Sequence, residues 1–97
     1  MKSLDLRTQA WLDDMFLYCG ANVYGPDKLK EELGWSSEWS ERLRRNFDYV
    51  LENRSLTADD YARRTDIEFE NDEALFAYVE ALRDFLFSKG SYPEFEG

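Results

Sequence analysis

Asp72-Glu73-Ala74-Leu75-Phe76-Ala77-Tyr78-Val79-Glu80-Ala81-Leu82-Arg83-Asp84-Phe85-Leu86-Phe87-Ser88 carries its apolar residues at a helical period. Leu75, Val79, Leu82 and Leu86 follow one another at spacings of four, three and four, Tyr78 and Phe85 widen the stripe, and Ala74, Ala77 and Ala81 fill much of the remainder. Such spacing puts the side chains on one face of an α-helix, and an apolar face this wide belongs to a helix at the centre of a bundle. Asn71 supplies an N-cap, Asp72 and Glu73 occupy the first turn where the helix dipole favours anions, and Lys89-Gly90 close the far end. One polar row is left, in which Phe76 and Phe87 flank Glu80 and Arg83 at spacings of four, three and four.

Upstream, Asp66-Ile67-Glu68-Phe69-Glu70 alternates charged and apolar residues. A period of two suits an extended strand or a linker pinned by Ile67 and Phe69, and without a second strand to pair with, the linker is the better reading. Thr57-Ala58-Asp59-Asp60 has the form of a capping box, with aspartate a poorer reciprocal cap than glutamate, and opens a short helix through Arg64. Ser36 or Ser37 caps a longer helix from Glu38 to Asn53, with Trp39, Leu43, Phe47, Val50 and Leu51 on its apolar face. Pro26 suits the first turn of a helix running to Leu33. Gly34 ends it; in a left-handed conformation it turns Trp35 back onto Leu29. From Leu4 to Tyr18 a first helix places Leu4, Thr8, Trp11, Met15 and Tyr18 in one row, with Ser3 as its cap and Gly20 as its stop. The expectation is an all-α, compact bundle of about five helices in a single domain over residues 1 to 97, with an extended segment near 66 to 70 and a tail, 91 to 97, carrying Tyr92 and Phe95, that frays or docks. Internal repeats and low-complexity tracts are absent.

A chain of 97 residues has room for one core. Its 43% apolar content, including sixteen aromatic residues, is enough to fill that core despite heavy charging. No stretch reaches the roughly 20 apolar residues of a membrane span, and Met1-Lys2-Ser3-Leu4-Asp5 lacks the apolar run of a signal peptide, which places the chain in the cytoplasm. Cys19, the only cysteine, sits beside Phe16, Leu17 and Tyr18 and reads as a small buried hydrophobe. The net charge of −9 repels phosphate backbones and anionic membranes, so neither nucleic acid nor membrane is expected as a direct partner. The imbalance is uneven: residues 1 to 48 carry nine acids and seven bases, residues 49 to 97 twelve acids and five bases.

Histidine is absent, which removes the usual general base and the commonest zinc ligand. A calcium loop beginning at Asp66 fails, because its sixth and twelfth positions hold Asn71 and Ala77 instead of glycine and glutamate. The pairs Asp13-Asp14 and Asp59-Asp60 read as solvated charge, since adjacent helical residues point about 100° apart. Lys2, Lys28, Lys30 and Lys89 all lie in polar contexts. No catalytic constellation, metal or cofactor is indicated. The stronger feature is the run from Asp66 to Glu73, five acids within eight residues and no base. One sign of charge so crowded repels itself and invites a basic partner, although the dipole accounts for Asp72 and Glu73, and the core for Ile67 and Phe69. Trp11, Trp35, Trp39, Leu43 and Phe47 lie on core stripes. Phe76, Phe87, Tyr24, Tyr49 and Tyr92 fall outside them and are available as interface anchors.

The stretch Leu56-Thr57-Ala58-Asp59-Asp60-Tyr61 through Thr65-Asp66-Ile67-Glu68-Phe69, followed by Leu75-Phe76-Ala77-Tyr78, in a small acidic helical chain rich in aromatics, resembles the immunity proteins that bacteria pair with secreted toxins, including those of contact-dependent growth inhibition. The resemblance covers about a third of the chain and brings no residue roles with it. It implies a tight complex with a cognate toxin, often a basic nuclease whose active site or substrate groove is blocked. The expected contacts are then Asp59, Asp60, Asp66, Glu68, Glu70, Asp72 and Glu73, with Phe69, Phe76 or Phe87 as apolar anchors. Two other readings fit the same composition: a phage or plasmid inhibitor that imitates DNA, of the antirestriction or anti-CRISPR kind, and a helical adaptor with no antagonistic role.

Overall fold

A computed structural model describes residues 4 to 93. Among them the chain forms five helices, α1 (Leu6–Cys19), α2 (Pro26–Leu33), α3 (Ser37–Asn53), α4 (Ala58–Thr65) and α5 (Asp72–Phe87), and no strand. The architecture is therefore an all-α bundle, with residues 66 to 71 as the linker between α4 and α5. Among the described residues no helix is long and apolar enough to cross a membrane.

Each helix starts where a side chain can take an orphan backbone amide, α2 excepted, where Pro26 has no amide to satisfy. Asp5 caps α1, accepting from the Thr8 amide at 2.8 Å, and that bond holds its carboxyl below the usual aspartate range. The expected cap, Ser3, lies outside the described residues. Ser36 caps α3 and Asn71 caps α5. At α4 both bonds of the capping box are present: the Thr57 amide donates to Asp60 Oδ2 at 2.9 Å, and the Asp60 amide donates to Thr57 Oγ1 at 3.2 Å. Aspartate thus serves as the reciprocal cap here.

The exit from α2 departs from expectation. Gly34 is right-handed, with φ −67°. The helix tightens there, the Gly34 and Trp35 amides donating three residues back to Glu31 and Glu32 at 3.1 and 3.0 Å. Without the left-handed reversal Trp35 is not folded onto Leu29; it stands 75% exposed while Leu29 is fully buried.

Packing centres on Trp11. Its ring meets Phe47 of α3 edge-on at 5.5 Å and lies against Tyr61 of α4 at 5.9 Å, so one side chain joins three helices. Helix α5 packs against both α2 and α3. Cover on two sides demands more apolar surface than one stripe provides, which draws in residues whose spacing predicts an outward face. Phe76 is buried, with the Arg54 guanidinium 5.0 Å above its ring, and Phe87 is half-buried, edge-on to Phe47 at 5.8 Å. Tyr49 is half-buried beneath Arg7, and the Tyr24 hydroxyl donates to the Pro93 carbonyl. Tyr92, 45% exposed, packs edge-on to Phe85 at 5.5 Å, and Pro93 is buried. The tail therefore docks as far as Pro93; Phe95 lies outside the described residues.

Cys19 is buried as expected, and burial pushes its thiol up to about 12. Burial also raises the phenols of Tyr61 and Tyr78 above the ordinary tyrosine value.

Two stability experiments follow from this core. Trp11→Ala should lose about 3 to 5 kcal/mol, the range for removing a large aromatic from a packed interior, whereas Trp35→Ala should stay within about 0.5 kcal/mol of the parent; urea unfolding reads both. Below pH 9 the Cys19 thiol is protonated in both states, and above it the unfolded thiol ionises while the folded one keeps its proton up to about 12. The urea midpoint should accordingly fall from pH 9 towards 12, and fall less steeply in Cys19→Ala.

Candidate functional site

The acids singled out in the sequence separate into two kinds. Asp60 and Asp72 are built into the fold. Asp60 closes the capping box of α4, and Asp72 Oδ1 accepts from the Ala58 amide at 2.7 Å. Asp72 thus lies in the first turn of its own helix while satisfying the first turn of another, which sets the beginnings of α4 and α5 side by side. Asp59 and Glu73 are exposed at this shared end.

The linker contributes the second kind. Ile67 is 1% exposed, and Phe69 lies against Tyr61 and Tyr78 at 5.9 and 5.1 Å. Phe69 is thereby half-buried against this protein's own core, as is Phe87, and Phe76 is buried. With alternate residues turned inward, Asp66, Glu68 and Glu70 are exposed. Asp66 is also the C-cap of α4 and adopts left-handed backbone at φ 62°, its amide donating to the Ala62 carbonyl at 2.9 Å. It lies at the opposite end of the eight-residue helix from Asp59, about 10 Å away at 1.5 Å per residue. The seven acids therefore form a strip running from the end of α4 along the linker to the starts of α4 and α5, not a single knot.

Little of this charge is compensated. The ion pairs among the described residues are Arg45 with Glu41, Arg64 with Asp13, and Arg83 with Asp48 and Asp84. None involves the seven acids of the strip. In the pair Asp13-Asp14, Asp13 takes Arg64 at 3.0 Å, and Asp14 is half-buried, its carboxyl raised by desolvation.

Two surface features go beyond what the sequence reading finds. A groove of about 730 Å³ between α3 and α5 has Leu51, Phe76 and Ala77 along it, and it gathers Asp48, Glu52, Glu73, Glu80 and Asp84 against Arg54 and Arg83. The four-residue spacings of Asp48 with Glu52 and of Glu80 with Asp84 are visible in the sequence, but nothing local says that α3 and α5 lie together. The second feature is a cleft of about 180 Å³ where α1 ends, bordered by Phe16, Leu17, Val23 and Asp66. Phe16 and Leu17 belong to the first helix by sequence, yet they lie to the side of its buried row.

No protein-family model matches the chain, and no curated protein or solved structure matches it.

The split between built-in and free carboxylates has a measurable consequence. Asp72→Ala should cost about 1 to 2 kcal/mol, the upper part of the range for losing a cap. Asp59→Ala, Glu68→Ala and Glu70→Ala should each leave stability within about 0.5 kcal/mol. Urea unfolding of the four variants tests this.

Proposed function

We propose that this chain is an immunity protein that binds and neutralises a basic bacterial toxin, covering a cationic groove of the toxin with its acidic strip. The observation that carries the reading is the linker: Asp66, Glu68 and Glu70 are exposed side by side, held outward by the burial of Ile67, with no described cation paired to them. A one-signed strip costs the free protein self-repulsion, and a basic partner converts that cost into attraction. Long-range attraction of this kind speeds encounter and selects the partner's sign. A nuclease groove, cationic because it holds phosphates, is the matching surface.

The test is co-expression with a cationic nuclease-toxin domain that co-purifies with this chain. Cells should survive with the parent chain and die with Asp66, Glu68 and Glu70 all changed to lysine, while circular dichroism shows the triple variant folded. Undiminished protection by the triple variant would sink the assignment of the strip as the contact surface.

A further inference from the structure

Around the 180 Å³ cleft at the end of α1, three large apolar side chains reach solvent together: Leu17 is 61% exposed, Val23 55% and Phe16 42%. The other large exposed apolar residues among those described, Leu6, Trp35 and Tyr92, lie at the start of α1, after α2 and in the C-terminal segment. Contiguous apolar exposure around a concavity is unfavourable in water and marks surfaces that are covered in a complex. A cavity of roughly 150 Å³ lined by apolar residues holds a benzene ring, so this cleft takes one side chain of phenyl size.

Its walls are set before any partner arrives. The Ala21 amide donates to the Thr65 carbonyl at 2.9 Å and the Gly25 amide to the Tyr18 carbonyl at 2.7 Å, tying the loop to α4 and α1. Thr65, itself buried, donates through Oγ1 to the Tyr61 carbonyl at 2.8 Å and accepts from the Ile67 amide at 3.3 Å. Gly20 is required at the turn, since a β-carbon there would lie 2.9 Å from the Phe16 carbonyl oxygen. A preformed cleft spares a ligand the cost of ordering it.

Charge decides the occupant. Among the described residues Asp66 is the one charged residue lining the cleft, and the linker carboxylates Glu68 and Glu70 continue from it. Of the two arginines in the last turn of α4, Arg63 and Arg64, the second stacks over Phe16 at 4.3 Å and is paired with Asp13. In extended chain, alternate residues are about 7 Å apart and share a face, so the three acids match bases at alternate positions of an extended partner segment.

We propose that the cleft bordered by Leu17, Val23 and Asp66 is the anchor site for a basic partner protein, receiving one aromatic side chain from an extended segment whose lysines or arginines, at every second position, lie along Asp66, Glu68 and Glu70. The proposal rests on the acidic-strip reading above and supplies its apolar centre, in place of Phe69, Phe76 and Phe87, which pack on this protein's own core. It also engages the left-handed Asp66, the C-cap of α4, through its carboxylate.

The probe is the peptide acetyl-Phe-Thr-Lys-Thr-Lys-Thr-Lys-amide, titrated into isotope-labelled protein at low salt and followed by amide chemical shifts. The expected result is joint perturbation of Phe16, Leu17, Val23 and Asp66 to Glu70. Replacing the peptide's phenylalanine by glycine should weaken binding about tenfold, the lower end of what burying one aromatic ring supplies. Leu17→Asp and Val23→Asp, both at exposed positions, should weaken it similarly. Asp66→Gly should weaken binding while raising the melting temperature, because glycine relieves the left-handed backbone; a purely structural residue would not move the two in opposite directions. Equal binding with and without the phenylalanine, unaffected by both cleft variants, overturns the anchor and leaves the acidic-strip reading standing. No perturbation of Asp66 to Glu70 by either peptide overturns both.

Discussion

Trp11 is the contact on which the rest of the structure depends. Three helices meet at its indole, through Phe47 and Tyr61, and Phe47 extends the cluster to Phe87 of α5. Edge-to-face rings contribute beyond simple burial because the positive rim of one faces the electron-rich face of another. The arrangement leaves a polar cost, since the Trp11 indole nitrogen finds no hydrogen-bond acceptor among the described residues. That the indole stays fully buried indicates how far dispersion and apolar burial outweigh one unsatisfied donor at this position.

From this centre the functional surface is a product of compensation. In the linker, Ile67 and Phe69 turn inward, and their inward turn is what projects the intervening carboxylates. At the start of α4, two acids are consumed as caps. The acidic excess of the second half is thus partly structural. Of what is left uncommitted, Glu52 and Glu80 line the groove between α3 and α5, and the linker acids lie along a strip with an apolar cleft at its Asp66 end.

Local chemistry is legible in the sequence wherever one turn of chain contains the whole cause. Pro26, Ser36, Thr57 with Asp60, and Asn71 mark helix starts because the groups they satisfy lie within three residues. The failures share a different cause. Periodicity identifies a helix face but not how many neighbours cover it, so Phe76 and Phe87 read as outward-facing on a helix that is covered on two sides. Trp35 reads as core, and is not, because glycine permits a left-handed reversal without requiring one. The cleft is invisible for a related reason: Phe16, Val23 and Asp66 are brought together by the Ala21 to Thr65 hydrogen bond, a long-range contact with no local signature.

The carboxylate of Asp72 has a dynamic implication. Because it satisfies the Ala58 amide, unwinding the first turn of α5 also strips a partner from the start of α4, and Phe69 packs against Tyr61 of α4 and Tyr78 of α5. Opening of the first turn of α5 is therefore coupled to opening of the first turn of α4 through this one hydrogen bond. The bond also closes a loop of chain, from Ala58 through the linker to Asp72, that carries the exposed carboxylates.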